Sequence, residues 1–156
     1  MDAANLTLPE ALLRLPSFVM FQLFRETRRL IAEHGDDGLR LPHLAVLCGL
    51  AESGPSSQRD LSVRLRIDPS DLVAFLDDLE KAGLATRERD RTDRRRYLVS
   101  LTDKGRAAQQ RRLAASQRMD DALLEPLDEA ERAQLEVLLL RVYAHHDPDR
   151  VPEELR

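Results

Sequence analysis

The stretch SQRDLSVRLRIDPSDLVAFLDDLEKAGLATRERDRTDRRRYLVSLTDKG, residues 57–105, decides the fold of this chain. Ser57, followed three residues later by Asp60, is typical of a capped helix start. A second helix start follows after a short turn, because Asp68 is a good N-cap and Pro69 suits the first helical position. A short helix, a tight turn and a capped second helix together form a helix-turn-helix.

The second of these helices has an apolar face at helical spacing. We expect Leu72, Phe75, Leu76 and Leu79 to face inward, and Ser70, Asp71, Ala74, Asp77, Asp78 and Lys81 to face outward. Gly83 predicts the end of this helix. Residues 84–89 and 97–101 then predict two strands, joined by a polar loop at 90–96. A β-hairpin placed directly after a helix-turn-helix is a wing.

The segments on both sides of this stretch predict further helices from their apolar spacing. These helices cover 7–34 with a break at Pro16, 42–52, 102–124 and 128–146. Asp128 and Glu131 have the spacing of a capping box at the start of the last helix. The predicted fold class is therefore mainly α with a small β wing.

Charge is distributed unevenly along the 156 residues, whose net charge is −4. Residues 84–118 carry eleven basic and four acidic side chains, a net +7, whereas the rest of the chain carries −11. Six arginines lie between Arg87 and Arg96, in the predicted hairpin. Such a basic segment indicates a nucleic-acid partner despite the acidic total. A solvated charged surface without a partner is the alternative interpretation.

Residues 83–105 resemble the wing signature of the MarR family of bacterial transcriptional regulators. The signature has a Gly-Leu opening at Gly83, an arginine, an Asp-x-Arg at Asp93 and Arg95, a strand, and Leu-Thr-x-x-Gly ending at Gly105. The order and lengths of the helices resemble the family over nearly the whole chain. The resemblance implies a winged helix-turn-helix lobe and a helical dimerisation lobe. It divides the chain into N-terminal dimerisation helices at 1–40, a DNA-binding lobe at 41–101 and C-terminal dimerisation helices at 102–146. The Pro- and charge-rich composition of residues 147–156 predicts a loosely held tail.

The function implied by the resemblance is that of a ligand-responsive transcriptional regulator. It would be a cytoplasmic homodimer that binds a palindromic operator in double-stranded DNA as a repressor. Arg95 would enter the minor groove, with Asp93 orienting it through a charge-assisted hydrogen bond. The full set of implied DNA-binding residues is Ser57, Gln58, Ser70, Asp71, Ala74, Arg87, Arg91, Asp93, Arg94, Arg95 and Arg96.

The predicted recognition helix departs from the family in having almost no basic residue on its outward face. Asp71 could accept a hydrogen bond from cytosine N4, although Asp68 and Asp71 also suit helix capping. Asp77 and Asp78 are expected to point away from phosphates. This acidic face keeps a second hypothesis open, a winged-helix protein–protein adaptor without sequence-specific DNA binding.

Relatives often bind small aromatic anions in the crevice between their two lobes. The residues implied for such a ligand pocket are Arg14, Phe18, Phe21 and His43, with core packing as the alternative.

Cys48 lies in an apolar segment and is expected to be a buried small hydrophobic residue. The spacing of His and Cys indicates no metal site, no pattern indicates catalysis or a cofactor, and no apolar run is long enough for a membrane span. A single cysteine favours the cytoplasm. We therefore expect no enzyme, no metal and no cofactor.

Overall fold

A computed structural model describes residues 7–33, 39–90, 93 and 96–155. Its helices are α1 (Glu10–Leu13), α2 (Pro16–Glu33), α3 (Leu41–Ser53), α4 (Gln58–Leu65), α5 (Pro69–Lys81), α6 (Asp103–Leu123) and α7 (Glu129–His146). Its strands are β1 (Ser56–Ser57), β2 (Ala85–Arg89) and β3 (Tyr97–Leu101). The predicted fold class, mainly α with a small β wing, is confirmed. None of the helices within the described ranges combines the length and the apolar character that crossing a membrane requires.

The chain divides into two compact units. One comprises residues 31–117, and the other comprises residues 1–30 together with 118–156. These boundaries fall inside α2 and inside α6, whereas the boundaries predicted from the sequence lie after residues 40, 101 and 146. The roles assigned to the predicted domains stay predictions.

The unit formed by residues 31–117 is built on a leucine-rich core. The side chains that are at most 1% exposed come from α3, α4, α5 and β3, and they include Leu47, Leu50, Leu61, Leu72, Leu76, Leu79 and Val99. All four residues predicted to form the inward face of α5 are buried. Burial of a leucine side chain contributes about 1.5–3 kcal/mol, so this stripe fixes the face that α5 presents to solvent.

A three-stranded antiparallel sheet in the order β1-β3-β2 completes this unit. In β3, Leu98 lies opposite Ser57, and Leu101 lies opposite Ala85 in β2. The short strand β1 therefore connects the residues just before α4 to the hairpin. The hairpin is held by β1 on one side and by the end of α5 on the other.

Two glycines shape the connections around the hairpin. Gly83 has φ +70°, a left-handed conformation that ends α5 and lets the Leu84 N–H donate to the Leu79 carbonyl at 2.8 Å. Gly105 in α6 lies against the Leu84 backbone, and a Cβ built on it would be 1.9 Å from the Leu84 carbonyl oxygen. The glycine of the Leu-Thr-x-x-Gly motif is therefore required by close backbone packing.

The unit formed by residues 1–30 and 118–156 leaves many apolar side chains exposed in the single chain. Phe21, Phe24, Val137 and Val142 are 57, 56, 61 and 56% exposed, and α7 has no buried residue. The start of α7 follows the sequence prediction. The Asp128 carboxylate accepts the Glu131 N–H at 2.9 Å, and the Glu131 carboxylate accepts the Asp128 N–H at 3.0 Å.

The structure corrects the prediction of a loosely held C-terminal tail. Residues Pro148–Arg150 and Glu153–Leu155 form two 3-10 turns. Val151 between them is only 3% exposed, and Arg150 Nε lies 4.0 Å from the Asp147 carboxylate. The Pro-rich and charged composition hid one apolar side chain whose burial orders this segment.

Candidate nucleic-acid interface

The start of α4 is held by Ser57 and Asp60, as the sequence predicts. The Ser57 hydroxyl accepts the Asp60 N–H at 3.2 Å and donates to the Asp60 carboxylate at 2.6 Å. This hydrogen bond from Ser57 lowers the pKa of Asp60, and nearby Arg96 lowers it further against the opposing effect of burial. Ser57 is only 7% exposed and caps α4, and its predicted contact with DNA stays a prediction. Gln58, the first residue of α4, is half-buried.

The turn between α4 and α5 is tight and internally bonded. Arg66 ends α4 in the left-handed region at φ +48°, and the Ser62 hydroxyl donates to the Ile67 carbonyl at 2.8 Å. Asp68 caps α5 by accepting the Ser70 N–H at 2.8 Å, and it also accepts the Ser70 hydroxyl. These hydrogen bonds from Ser70 lower the pKa of Asp68. The caps and the turn fix the direction in which α5 leaves α4.

The solvent-facing surface of α5 matches the expected outward face at its N-terminal end. Ser70, Asp71 and Ala74 are all exposed. Val73, which the sequence analysis did not single out, is 38% exposed beside them. A small, weakly charged surface therefore occupies the first turns of α5.

Two carboxylates further along α5 hold Arg87 of β2. Arg87 Nη1 lies 2.6 Å from Asp77 Oδ1 and also contacts the Glu80 carboxylate, which accepts the Arg87 N–H at 3.0 Å through its other oxygen. The Arg87 side chain is only 23% exposed. Arg87 was predicted to contact DNA, but its guanidinium neutralises two carboxylates and fastens the hairpin to α5. Arg87 therefore has an internal role, and its predicted contact with DNA stays a prediction.

The Asp78 carboxylate lies within hydrogen-bond distance of a buried histidine of α3. His43 is 1% exposed, and its Nε2 lies 3.3 Å from Asp78 Oδ2. Its Nδ1 accepts the Arg40 N–H at 2.9 Å, which places the ring proton on Nε2, where it donates to Asp78. The ring also meets Phe75 edge-on, with centroids 5.0 Å apart. The predicted role of His43 in a ligand pocket stays a prediction, and both of its nitrogens are already engaged here.

The hairpin tip closes through backbone hydrogen bonds. The Asp90 N–H donates to the Arg96 carbonyl at 3.0 Å, and the Arg96 N–H donates to the Asp93 carbonyl at 2.9 Å. Arg96 Nη2 also lies 3.1 Å from Asp60 Oδ2, which links the hairpin to α4. Asp93 is exposed. The predicted DNA-contacting residues Arg91, Arg94 and Arg95 lie outside the described residues.

A cation–π pair across the hairpin was missed by the sequence analysis. The Arg89 guanidinium lies 5.6 Å from the centre of the Tyr97 ring, and its Nε donates to the Tyr97 hydroxyl at 3.2 Å. These residues are directly opposite each other in β2 and β3. Their equal distances from the ends of the polar loop could have suggested the pairing.

The other predicted site residues have the following surroundings. In the unit that contains residues 1–30, Arg14 pairs with Glu10, Phe18 is half-buried and Phe21 is exposed. Cys48 is half-buried rather than fully buried, and its sulfur accepts a long hydrogen bond of 3.6 Å from the Gln109 amide. Within the described part of the chain, no three His, Cys, Asp or Glu side chains are grouped as a metal site requires.

Comparisons with known proteins agree with this arrangement. The sequence profile of the MarR family matches residues 37–96. A regulatory protein assigned to the hcr operon of Thauera aromatica is 34% identical over 77% of this chain and 71% of that protein. The PcaV transcriptional regulator of Streptomyces coelicolor, solved with its natural ligand, is 28% identical with a TM-score of 0.73, covering 87% of this chain and 96% of that one. A mutant MarR from E. coli, solved with operator DNA, is 27% identical with a TM-score of 0.66, covering 80% and 90%. This chain is a transcriptional regulator that belongs to the MarR family.

Proposed function

We propose that this chain is a ligand-responsive repressor that binds a palindromic operator as a homodimer in the cytoplasm. The observation that carries the proposal is the capped α4–α5 pair, which presents an open surface at Ser70, Asp71 and Ala74 beside an arginine-rich hairpin. A second helix placed in this way enters the major groove, while a wing reaches the backbone or minor groove. A dimer bound across a promoter blocks access to the same DNA, which favours repression.

The exposed apolar side chains of α2 and α7 support the dimer. Several of them are more than half exposed in the single chain, an arrangement that a second copy would relieve. Sedimentation at micromolar concentration should give about twice the mass of the 17.8 kDa chain. Val137→Glu in α7 should shift the protein towards monomer, whereas Val63→Glu in α4, with similar exposure at 68%, should not. A clean monomer for the parent protein would contradict the dimer.

DNA binding is tested by removing the arginine that the family resemblance places in the minor groove. Arg95→Ala should weaken binding to operator DNA by about 1–3 kcal/mol for one contact, and by twice that if both protomers count. We expect thermal stability to change by no more than about 0.5 kcal/mol. Arg28→Ala, which removes an exposed arginine from α2, is the matched control and should bind like the parent.

Salt dependence separates this function from the alternative of a protein–protein adaptor. Operator affinity should fall steeply with added salt because the basic segment releases counterions from DNA. The acidic face of α5 favoured an adaptor, but Asp77, Asp78 and Glu80 have internal partners. Parent protein that binds no DNA at low salt would restore the adaptor hypothesis.

A small-molecule effector is the remaining part of the proposal. It is supported by the ligand-bound PcaV structure, and the residues proposed to bind it stay those predicted from the sequence. Aromatic carboxylates are the class to titrate against the operator complex, since an arginine and two phenylalanines suit a ring that bears an anion. We also propose that the chain has no enzymatic activity, as its relatives are regulators.

A further inference from the structure

The four carboxylates of α5 differ in what they contact. Asp77 and Glu80 hold Arg87, and Asp78 accepts from His43. Asp71 is exposed, and its carboxylate has no hydrogen-bond or ion-pair partner among the residues that the structure describes. One acidic side chain of this helix is therefore available to an outside partner, while the other three are engaged within the protein.

The position of Asp71 in α5 would place its carboxylate near base edges in a DNA complex. Asp71 is the third residue of α5, and Ala74 lies one turn further along the same exposed surface. Residues in the first turns of the second helix of a helix-turn-helix meet base edges in the major groove. A carboxylate would be repelled by phosphates, whereas a hydrogen-bond donor on a base edge would stabilise it.

We propose that Asp71 reads a C·G base pair through the amino group of cytosine, an inference that rests on the proposed DNA-binding function. A carboxylate only accepts hydrogen bonds, and the major groove offers it two donors, cytosine N4 and adenine N6. Adenine N6 is flanked on both sides by acceptors, adenine N7 and thymine O4. Cytosine N4 has an acceptor, guanine O6, on one side only. Electrostatic repulsion therefore disfavours adenine and leaves cytosine as the partner.

The first turns of α5, all of which the structure describes, offer no cation that could read the guanine of the same base pair. Guanine is usually read by an arginine or lysine that reaches O6 and N7. The described first turns of α5 present Ser70, Asp71, Val73 and Ala74 and no basic side chain. Arg87 of β2 is held by two carboxylates. A G·C pair that faces these turns of α5 would thus be read from its cytosine rather than from its guanine.

A selection from a library of randomised 30-bp duplexes tests this inference. The parent, Asp71→Asn, Asp71→Ala and the control Asp103→Asn are each incubated with the library, and bound DNA is sequenced. Asp103 is an exposed aspartate in the first turn of α6, so its substitution removes the same charge from the same unit. Affinities for the selected duplex and its single-base variants are then measured for all four proteins.

The parent should show one C·G position in each half-site whose replacement weakens binding by about 5- to 100-fold. Asp71→Ala should lose this preference while keeping the others. Asp71→Asn should move it towards adenine, since an amide pairs with adenine N6 and N7. Asp103→Asn should tighten binding to all duplexes slightly and leave every preference unchanged.

Two results would overturn the inference in distinguishable ways. If the parent and Asp71→Ala select the same bases with the same discrimination, Asp71 serves only the helix start, where an acidic side chain stabilises the macrodipole. That result would leave the DNA-binding function intact. If the parent selects no sequence and binds no duplex at low salt, the proposed function and the inference both fail.

Discussion

Gly105→Ala should largely unfold the unit of residues 31–117 under conditions in which the parent is stable. The new Cβ would lie 1.9 Å from the Leu84 carbonyl oxygen and 2.9 Å from the Leu84 carbonyl carbon. Both atoms are backbone, so no side-chain rotation relieves the contact. The same carbonyl accepts the Thr102 N–H at 3.1 Å, and moving it would also disturb the start of α6. We expect a loss of about 3 kcal/mol or more, at or above the upper end of usual overpacking costs, measured by urea denaturation.

Gly49→Ala is the matched control for this prediction. Gly49 is also a buried helical glycine, but its added Cβ would meet only the flexible end of the Leu65 side chain at 3.3 Å. Alanine also favours a helix over glycine by up to about 1 kcal/mol. Gly49→Ala should therefore stay within about 1 kcal/mol of the parent. Equal denaturation midpoints for Gly105→Ala and the parent would mean that α6 does not approach Leu84 this closely.

Arg87→Ala should lower both stability and operator affinity. The variant leaves Asp77 and Glu80 without the guanidinium that bridges them, at side-chain exposures of 44 and 31%. Two partly buried carboxylates without a partner should cost about 1–3 kcal/mol of unfolding free energy. Their two uncompensated charges would also make the potential around the DNA-binding surface more negative, weakening binding by about 5- to 10-fold at low salt and by less at high salt. Thermal melts and fluorescence anisotropy over a salt series measure the two effects.

Two further variants separate this explanation from a simple loss of positive charge. Arg89→Ala removes an arginine two residues away on the same strand, where the side chain is exposed and contacts Tyr97. It should affect stability much less. Adding Asp77→Asn and Glu80→Gln to Arg87→Ala should restore most of the binding, because the unpaired charges are gone. If the triple variant binds no better than Arg87→Ala, Arg87 itself contacts DNA.

Local signals in the sequence predicted most of the fold. The caps at Ser57, Asp68 and Asp128 and the stop at Gly83 depend on neighbours within a few residues, so they can be read without knowing the tertiary structure. The inward face of α5 follows from one helical period. These features place the helix-turn-helix and the hairpin to within about one residue of the observed bounds.

The partners of the charged side chains could not be predicted in the same way. Asp78 meets His43 from 35 residues away, and Arg96 meets Asp60 from 36 residues away. A count of charges is the same whether Arg87 is free or held by Asp77 and Glu80. The total charge of the hairpin can thus be read from the sequence, whereas the internal partners of Arg87 cannot. The burial of Val151 was missed for a similar reason, since the Pro-rich and charged residues around it are typical of a loosely held segment.

The double attachment of the hairpin has a consequence for the arrangement of an operator. The hairpin is tied to the start of α4 by β1 and by Arg96, and to α5 by Arg87. In the proposed operator complex, the folded unit would therefore set the distance between a contact made by α5 in one groove and a contact made by the wing in the next. Inserting one base pair between those two contacts rotates them by about a tenth of a helical turn relative to each other. In such a complex, the spacing of base contacts within each half-site would be imposed by the folded unit and not by the flexibility of the DNA.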